Sequence, residues 1–257
     1  MTTPLSVSVI ACGPDNNVKP SYLTDLGFKT NEAYSLSSTT AILSSGTNQK
    51  AWFFDSSKPV GSQLTDLNHF INTFYRLSDK TGIFLLDTMI GSNRNAWFFD
   101  VTSGQPVFTD LGIKVGAGGI RGVYRLSDTK AIIQNGQSND VYYFDAPTIN
   151  LGTALSKKIT NFYRISETTG IFIDDTTGSA SNSFFFDGTN AVTNPFTDLN
   201  KRITSVTRLS DTKAIVDDAT SSYLFDTVGN NFTDLKQDIR LFTTMSETTG
   251  LYSNGTA

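Results

Sequence analysis

Cysteine is nearly missing. Cys12 stands alone in 257 residues, so no disulfide can close within the chain, and a disulfide-stapled secreted module is excluded. Histidine is equally scarce. His69 is the only one, which removes histidine-cluster metal sites and leaves no metal or cofactor to expect. A Ser-His-Asp triad would have to pass through His69, and no motif surrounds it. Cys12 paired with His69 has no nucleophile signature either. Charged residues are only 17%, and the net charge of −4 offers no basic surface for nucleic acid. No apolar run approaches the roughly 18 residues that a membrane-spanning helix needs. The opening "MTTPLSVSVIACGPDNN" has no basic region, and serines break its apolar run. It is not expected to be a signal peptide, and the expected location is cytoplasmic. No stretch sustains a 3.6-residue period, so helices are not expected.

What the chain has instead is aromatics and repetition. Aromatic residues make up 12%, with 19 Phe and 9 Tyr, a composition that favours strands and a filled core. The segment "YRLSDTKAII" from Tyr124 recurs as "YRLSDKTGIF" from Tyr75, "YRISETTGIF" from Tyr163 and "TRLSDTKAIV" from Thr207. Aligned on its serine, the unit falls at Ser37, Ser78, Ser127, Ser166, Ser210 and Ser246. A second marker, "TDL", places Asp25, Asp66, Asp110, Asp198 and Asp234, with a degenerate "TAL" at Ala154. A third is aromatic, ending at Asp55, Asp100, Asp145, Asp187 and Asp226.

The order within each unit is constant. From Arg202 to Leu235 it reads as strand "ITSVTRLS", turn "DT", strand "KAIVDD", strand "SYLFD" and short strand "NFTDL". Four strands in about 40–45 residues is the spacing of a propeller blade. The sequence therefore predicts an all-β chain, a six-bladed β-propeller of four-stranded antiparallel blades, forming one domain over residues 1–257. The blades are expected near 27–67, 68–111, 112–155, 156–199 and 200–235. The sixth joins 236–257 to 1–26, because the last unit has two strands and the first residues supply "LSVSVIAC" and "SYLTDL". Residues 5–26 are expected to pair with 239–253. Such closure removes an exposed sheet edge.

A cysteine-poor chain of six such repeats resembles the propeller lectins of the tectonin and fungal fucose-lectin kind. The resemblance spans the whole chain through repeat length and strand order, and it implies a propeller fold and sugar binding. No site residue is carried over from it. The strand order also resembles kelch-type blades, but the paired glycines of kelch repeats are absent.

Two constellations recur. The first is an aromatic opening strand three, just after a variable polar loop: Trp52, Trp97, Tyr142, Phe184 and Tyr223. Such a ring either stacks on a sugar face or fills the space between blades. Trp52 and Trp97 are the leading candidates for stacking, with Tyr142 beside them. The second is Arg76, Arg125, Arg164 and Arg208 at one repeat position. They either brace strands by pairing with the strand-three aspartates, Arg125 with Asp145 or Asp100, or form a ring that binds sugars or anions. The carboxylate pairs Asp174/Asp175 and Asp217/Asp218 read as turn chemistry, or at most half of a weak calcium site. "GAGG" at 116–119 opens no helix and supports no nucleotide site.

These features point to a non-enzymatic, multivalent carbohydrate-binding protein with glycan partners. A small-molecule or pigment-binding propeller with an apolar ligand, and a protein-interaction scaffold, are the alternatives.

Overall fold

The computed structural model describes residues 29–46, 50–86, 95–114, 119–136, 138, 140–146, 150–174, 182–190, 195–218, 220–237, 239–244 and 250–254. The chain groups into two compact units, Met1–Ala117 and Gly118–Ala257. The first unit holds two four-stranded sheets. One is β1 (Glu32–Ser35), β2 (Thr40–Ser45), β3 (Lys50–Asp55) and β4 (Leu64–Asp66). The other is β5 (Ile71–Arg76), β6 (Thr81–Leu86), β7 (Asn95–Asp100) and β8 (Val107–Lys114).

The second unit holds three more. They are β9 (Ile120–Arg125), β10 (Lys130–Asn135), β11 (Asp140–Asp145) and β12 (Asn150–Lys158); then β13 (Asn161–Arg164), β14 (Thr169–Asp174), β15 (Asn182–Asp187) and β16 (Phe196–Asp198); then β17 (Ser205–Arg208), β18 (Lys213–Asp217), β19 (Ser222–Asp226) and β20 (Asn231–Asp234). A two-stranded sheet of β21 (Ile239–Thr244) and β22 (Gly250–Asn254) follows. Every pairing is antiparallel, and neighbours in sequence are neighbours in the sheet. The strands expected of residues 5–26, and Cys12 among them, lie outside the described residues, as do Asp25, Asp175 and most of "GAGG".

The repeated decapeptide is the first hairpin of each sheet, and its serine builds the turn. Ser78 Oγ accepts the N–H groups of Lys80 and Thr81 at 3.1 and 3.0 Å and meets Thr81 Oγ1 at 2.8 Å. Ser37 and Ser166 do the same with Thr39/Thr40 and Thr168/Thr169. This is the local side-chain bonding that makes Ser and Thr turn formers. A backbone bond from the serine N–H closes each turn, as in Ser210 to Lys213 O at 3.1 Å.

Sheets bury one another face to face. In the second sheet Phe74, Phe84, Trp97, Phe99 and Phe108 lie on one face, and that layer packs on Leu36, Ile42, Ala51 and Phe53 of the first. In the second unit Phe162, Phe172, Phe184 and Phe186 pack on Leu126, Ile132, Val141 and Tyr143. Ala214, Val216 and Phe225 pack on Ile165, Ile171 and Phe185. Each fully buried Phe contributes about 1.5–3 kcal/mol to that stacking.

A buried isoleucine stands at or just before the first strand of the second, fourth, fifth and last sheets, and a buried polar side chain of the preceding sheet holds its backbone. Ser44 Oγ donates to Ile71 O at 2.6 Å, and Gln134 Nε2 to Ile159 O at 2.6 Å. Ser183 Oγ accepts Ile203 N–H at 3.0 Å, and Ser222 Oγ accepts Ile239 N–H at 2.8 Å. Each bond satisfies a backbone group that the sheet ladder leaves over.

Candidate functional site

Each sheet has two ends with different chemistry. At the turn end sit the first hairpin, the arginines and the strand-three aspartates. At the loop end sit the start of strand three, the end of strand four and the connections on either side.

At the turn end three of the four arginines pair across the turn. Arg125 Nη2 donates to Asp128 Oδ1 at 2.6 Å, and Arg208 Nη2 to Asp211 Oδ1 at 2.6 Å. Arg76 pairs with Asp79 in the same way. The expected Arg125–Asp145 or Arg125–Asp100 brace is thus replaced by a pair across the turn. Register gives the reason. Arg125 lies opposite Ala131, whereas Asp145 lies opposite Lys130, whose Nζ stands 3.1 Å from Asp145 Oδ2. Lys213 and Asp226 repeat that relation at 3.9 Å. Asp55, Asp100, Asp187 and Asp226 instead accept the N–H two residues on, at 2.7–3.0 Å, and open the loop to strand four.

At the loop end the "TDL" aspartates have a structural task. Asp66, Asp110, Asp198 and Asp234 each accept the N–H two residues on at 2.8 Å. The accepting turns all carry positive φ: Asn68 53°, Gly112 63°, Asn200 50° and Lys236 57°. Gly and Asn tolerate that region, and a lysine there is strained. The hydrogen bond from Asn68, then the Lys50 ammonium 3.0 Å away, hold the Asp66 carboxyl below its ordinary range.

The same aspartates face the strand-three aromatics. Trp52 lies directly opposite Asp66, Trp97 opposite Asp110, Phe184 opposite Asp198 and Tyr223 opposite Asp234. Tyr142 is opposite Ala154, where the marker is degenerate. Directly opposed residues share a face with β-carbons about 4.5–5.5 Å apart. In each case one carboxylate oxygen holds the turn. The second oxygen takes Lys50 Nζ at Asp66, Asn95 Nδ2 (3.1 Å) at Asp110 and Lys236 Nζ (2.8 Å) at Asp234.

Phe184 is buried, whereas the other four aromatics are neither free platforms nor wholly buried. Trp52 and Trp97 are both half-buried. The Trp97 ring stacks near Phe84, centroids 6.5 Å apart, and His69 covers it at 5.7 Å. Its indole N–H is buried with no hydrogen-bond partner among the described residues. Tyr142 is half-buried, and burial, then the nearby Asp140 charge, pushes its hydroxyl pKa up while Asn135 pulls it down.

His69, in the connection from the first sheet to the second, packs edge-on against Phe108 at 5.1 Å. The equivalent residue in the fifth sheet, Lys201, lies over the Tyr223 ring at 3.8 Å. The residue after the Asn68 or Asn200 turn is thus a lid on the aromatic pair of the next sheet, a role that repeat spacing alone did not reveal.

Asp217 and Asp218 are turn chemistry. Asp218 Oδ1 accepts the N–H groups of Thr220 and Ser221, and Asp217 accepts the hydroxyls of Ser205 and Ser222. Among the described residues no group of three or more His, Cys, Asp or Glu could hold a metal ion. No described helix is long and apolar enough to cross a membrane.

No protein-family model and no curated protein matches the sequence. Among solved structures, the chain is similar to oligopeptidase B from Trypanosoma brucei, with TM-score 0.46 and 12% identity over 80% of this chain and 34% of that one. It is similar to the Dos1 propeller, with TM-score 0.44 and 13% identity over 88% of this chain and 65% of that one. TolB from Acinetobacter baumannii gives TM-score 0.35 and 12% identity over 76% and 52%. The chain thus spans less than two thirds of each of these structures.

Proposed function

We propose that the five sheets are blades of a six-bladed β-propeller, closed by residues 1–26 and 236–257, and that the protein is a non-enzymatic, multivalent carbohydrate-binding protein. The observation that supports this reading is the aromatic–aspartate pair at one register position in four sheets. Sugar recognition uses an aromatic ring face beside a carboxylate that accepts hydroxyl hydrogen bonds. The pair stands next to loops that vary between sheets while the strands do not, which is where binding resides on a uniform scaffold. Trp52 with Asp66 and Lys50 is the best-equipped copy, because ring, acceptor and donor meet there. Weak sites repeated around one scaffold gain avidity from a surface carrying many glycans.

A glycan array tests this. The full chain is expected to be retained on a subset of glycans, and Trp52→Ala together with Asp66→Ala to weaken retention. A folded chain that retains no glycan overturns the reading.

A further inference from the structure

The four repeated arginines are not equivalent. Arg76, Arg125 and Arg208 each pair with an aspartate three residues on. In the fourth sheet that position is Glu167, and Arg164 makes no ion pair among the described residues. Its Nε donates to Ser166 O at 3.1 Å.

Arg164 is also the most sheltered of the set, and it lies between two others. β9, β13 and β17 are the first strands of three sheets stacked in sequence, each ending in its arginine. Arg208 Nε crosses to the fourth sheet and donates to Ile165 O at 2.6 Å, one residue from Arg164. Burial, then the charges of Arg125 and Arg208, lower the Arg164 pKa, and Glu167 and Asp211 only partly offset this. The carboxylates of Asp128 and Asp211 are already engaged by their own arginines.

We propose that Arg164, flanked by Arg125 and Arg208, binds one oxyanion group, a sulfate, phosphate or carboxylate, at the turn end of the second unit. The guanidinium keeps its outward N–H groups for a planar two-point contact of the kind arginine makes with such groups. The flanking charges supply attraction that one exposed arginine lacks. This site stands at the opposite end of the sheets from the aromatic–aspartate pairs and does not rest on the carbohydrate reading.

The test is a calorimetric titration of the full chain with sodium sulfate, sodium phosphate and sodium galacturonate, each against sodium chloride at equal ionic strength. The chloride control removes general screening, and the three arms separate inorganic anions from a carboxylated sugar. At least one anion is expected to bind the wild-type chain and Arg76→Gln alike, with affinity falling about tenfold or more in Arg164→Gln. Glu167→Asp keeps every arginine, restores the pair of the other sheets, and is expected to weaken the same anion. It serves where Arg164→Gln does not fold. The proposal is overturned if no anion exceeds chloride, if Arg76→Gln loses as much affinity as Arg164→Gln, or if Glu167→Asp binds as the wild type does.

Discussion

Gly82 lies beneath the ring of Phe74, so close that a β-carbon on Gly82 would stand 2.2 Å from Phe74 Cζ. Gly170 and Phe162 repeat the relation at 2.3 Å. Where strand one carries a smaller residue at this position, Val123 or Val206, strand two carries Ala131 or Ala214. Ring and glycine therefore exchange volume as a unit. Gly82→Ala is expected to cost about 1–3 kcal/mol by overpacking. Phe74→Val with Gly82→Ala rebuilds the Val123–Ala131 pair and is expected to recover part of that loss. Urea unfolding of the two single variants and the double variant measures the coupling, and additive losses would contradict it.

The left-handed turns after strand four give a second prediction, of opposite sign at two positions. Gly112 has φ 63°, and an added β-carbon meets nothing within 4 Å. Gly112→Ala should therefore cost only the backbone term, about 1 kcal/mol. Lys236 holds φ 57° with a side chain that disfavours it. Lys236→Asn is expected to raise the Tm by about 1–3 °C. A Tm that falls would show that the contact of Lys236 with Asp234 outweighs the strain.

Buried polar side chains tie the first sheet to the second and, within the second unit, each sheet to the next. Ser183→Ala leaves the Ile203 N–H without its acceptor and is expected to cost about 1–3 kcal/mol. Ser183→Thr keeps an acceptor at that place and tests whether the hydrogen bond, rather than side-chain volume, carries the effect.

Acid should weaken the Asp66 turn. The folded carboxyl titrates below its ordinary value, held first by the Asn68 N–H and then by Lys50. A depressed folded pKa adds stability above the unfolded pKa, near about 4, and that stability is lost as pH falls through the folded value. Asp66→Asn keeps an oxygen acceptor and removes only the charge. Its deficit against the wild type is expected at pH 7 and should close on acidification below about pH 4. A deficit that persists there would assign the effect to geometry instead of charge.

The strands were legible in the sequence because their period and markers repeat. The unit from Arg202 to Leu235 reads as four strands and forms β17 to β20. The turn serines were legible too, since their bonding is local. Partner choice was not. The arginines and the strand-three aspartates share an end of the sheet, but register puts Lys130 rather than Arg125 opposite Asp145. The "TDL" aspartate served as a spacing marker, and the sequence did carry a sign of its turn: the residue two on is Asn, Gly, Asn or Lys. The lids His69 and Lys201 could not be read from the repeat, because they act on the following sheet and differ in chemistry. Trp97 and Phe184 belong to the layer between sheets, a consequence of face assignment that the aromatic run "WFFD" leaves ambiguous.

The unpartnered Trp97 N–H yields one more expectation. Trp97→Phe removes a buried donor without a partner while keeping a ring on Phe84. The change should be close to neutral, within about 1 kcal/mol, because the lost ring area is offset by the lost desolvation penalty. Thermal unfolding of the variant checks it, and a loss near the 3–5 kcal/mol of a full truncation would show that the indole N–H is satisfied.

The central claim is that one aromatic–aspartate pair, repeated at one register position, binds sugar. Calorimetric titration with the monosaccharide selected on a glycan array measures it most directly, because stoichiometry reports how many copies act. The account predicts more than one site per chain and a lower site count in Asp66→Ala than in the wild type. A single site left unchanged by Asp66→Ala and Asp198→Ala, or no binding by the folded chain, would contradict it.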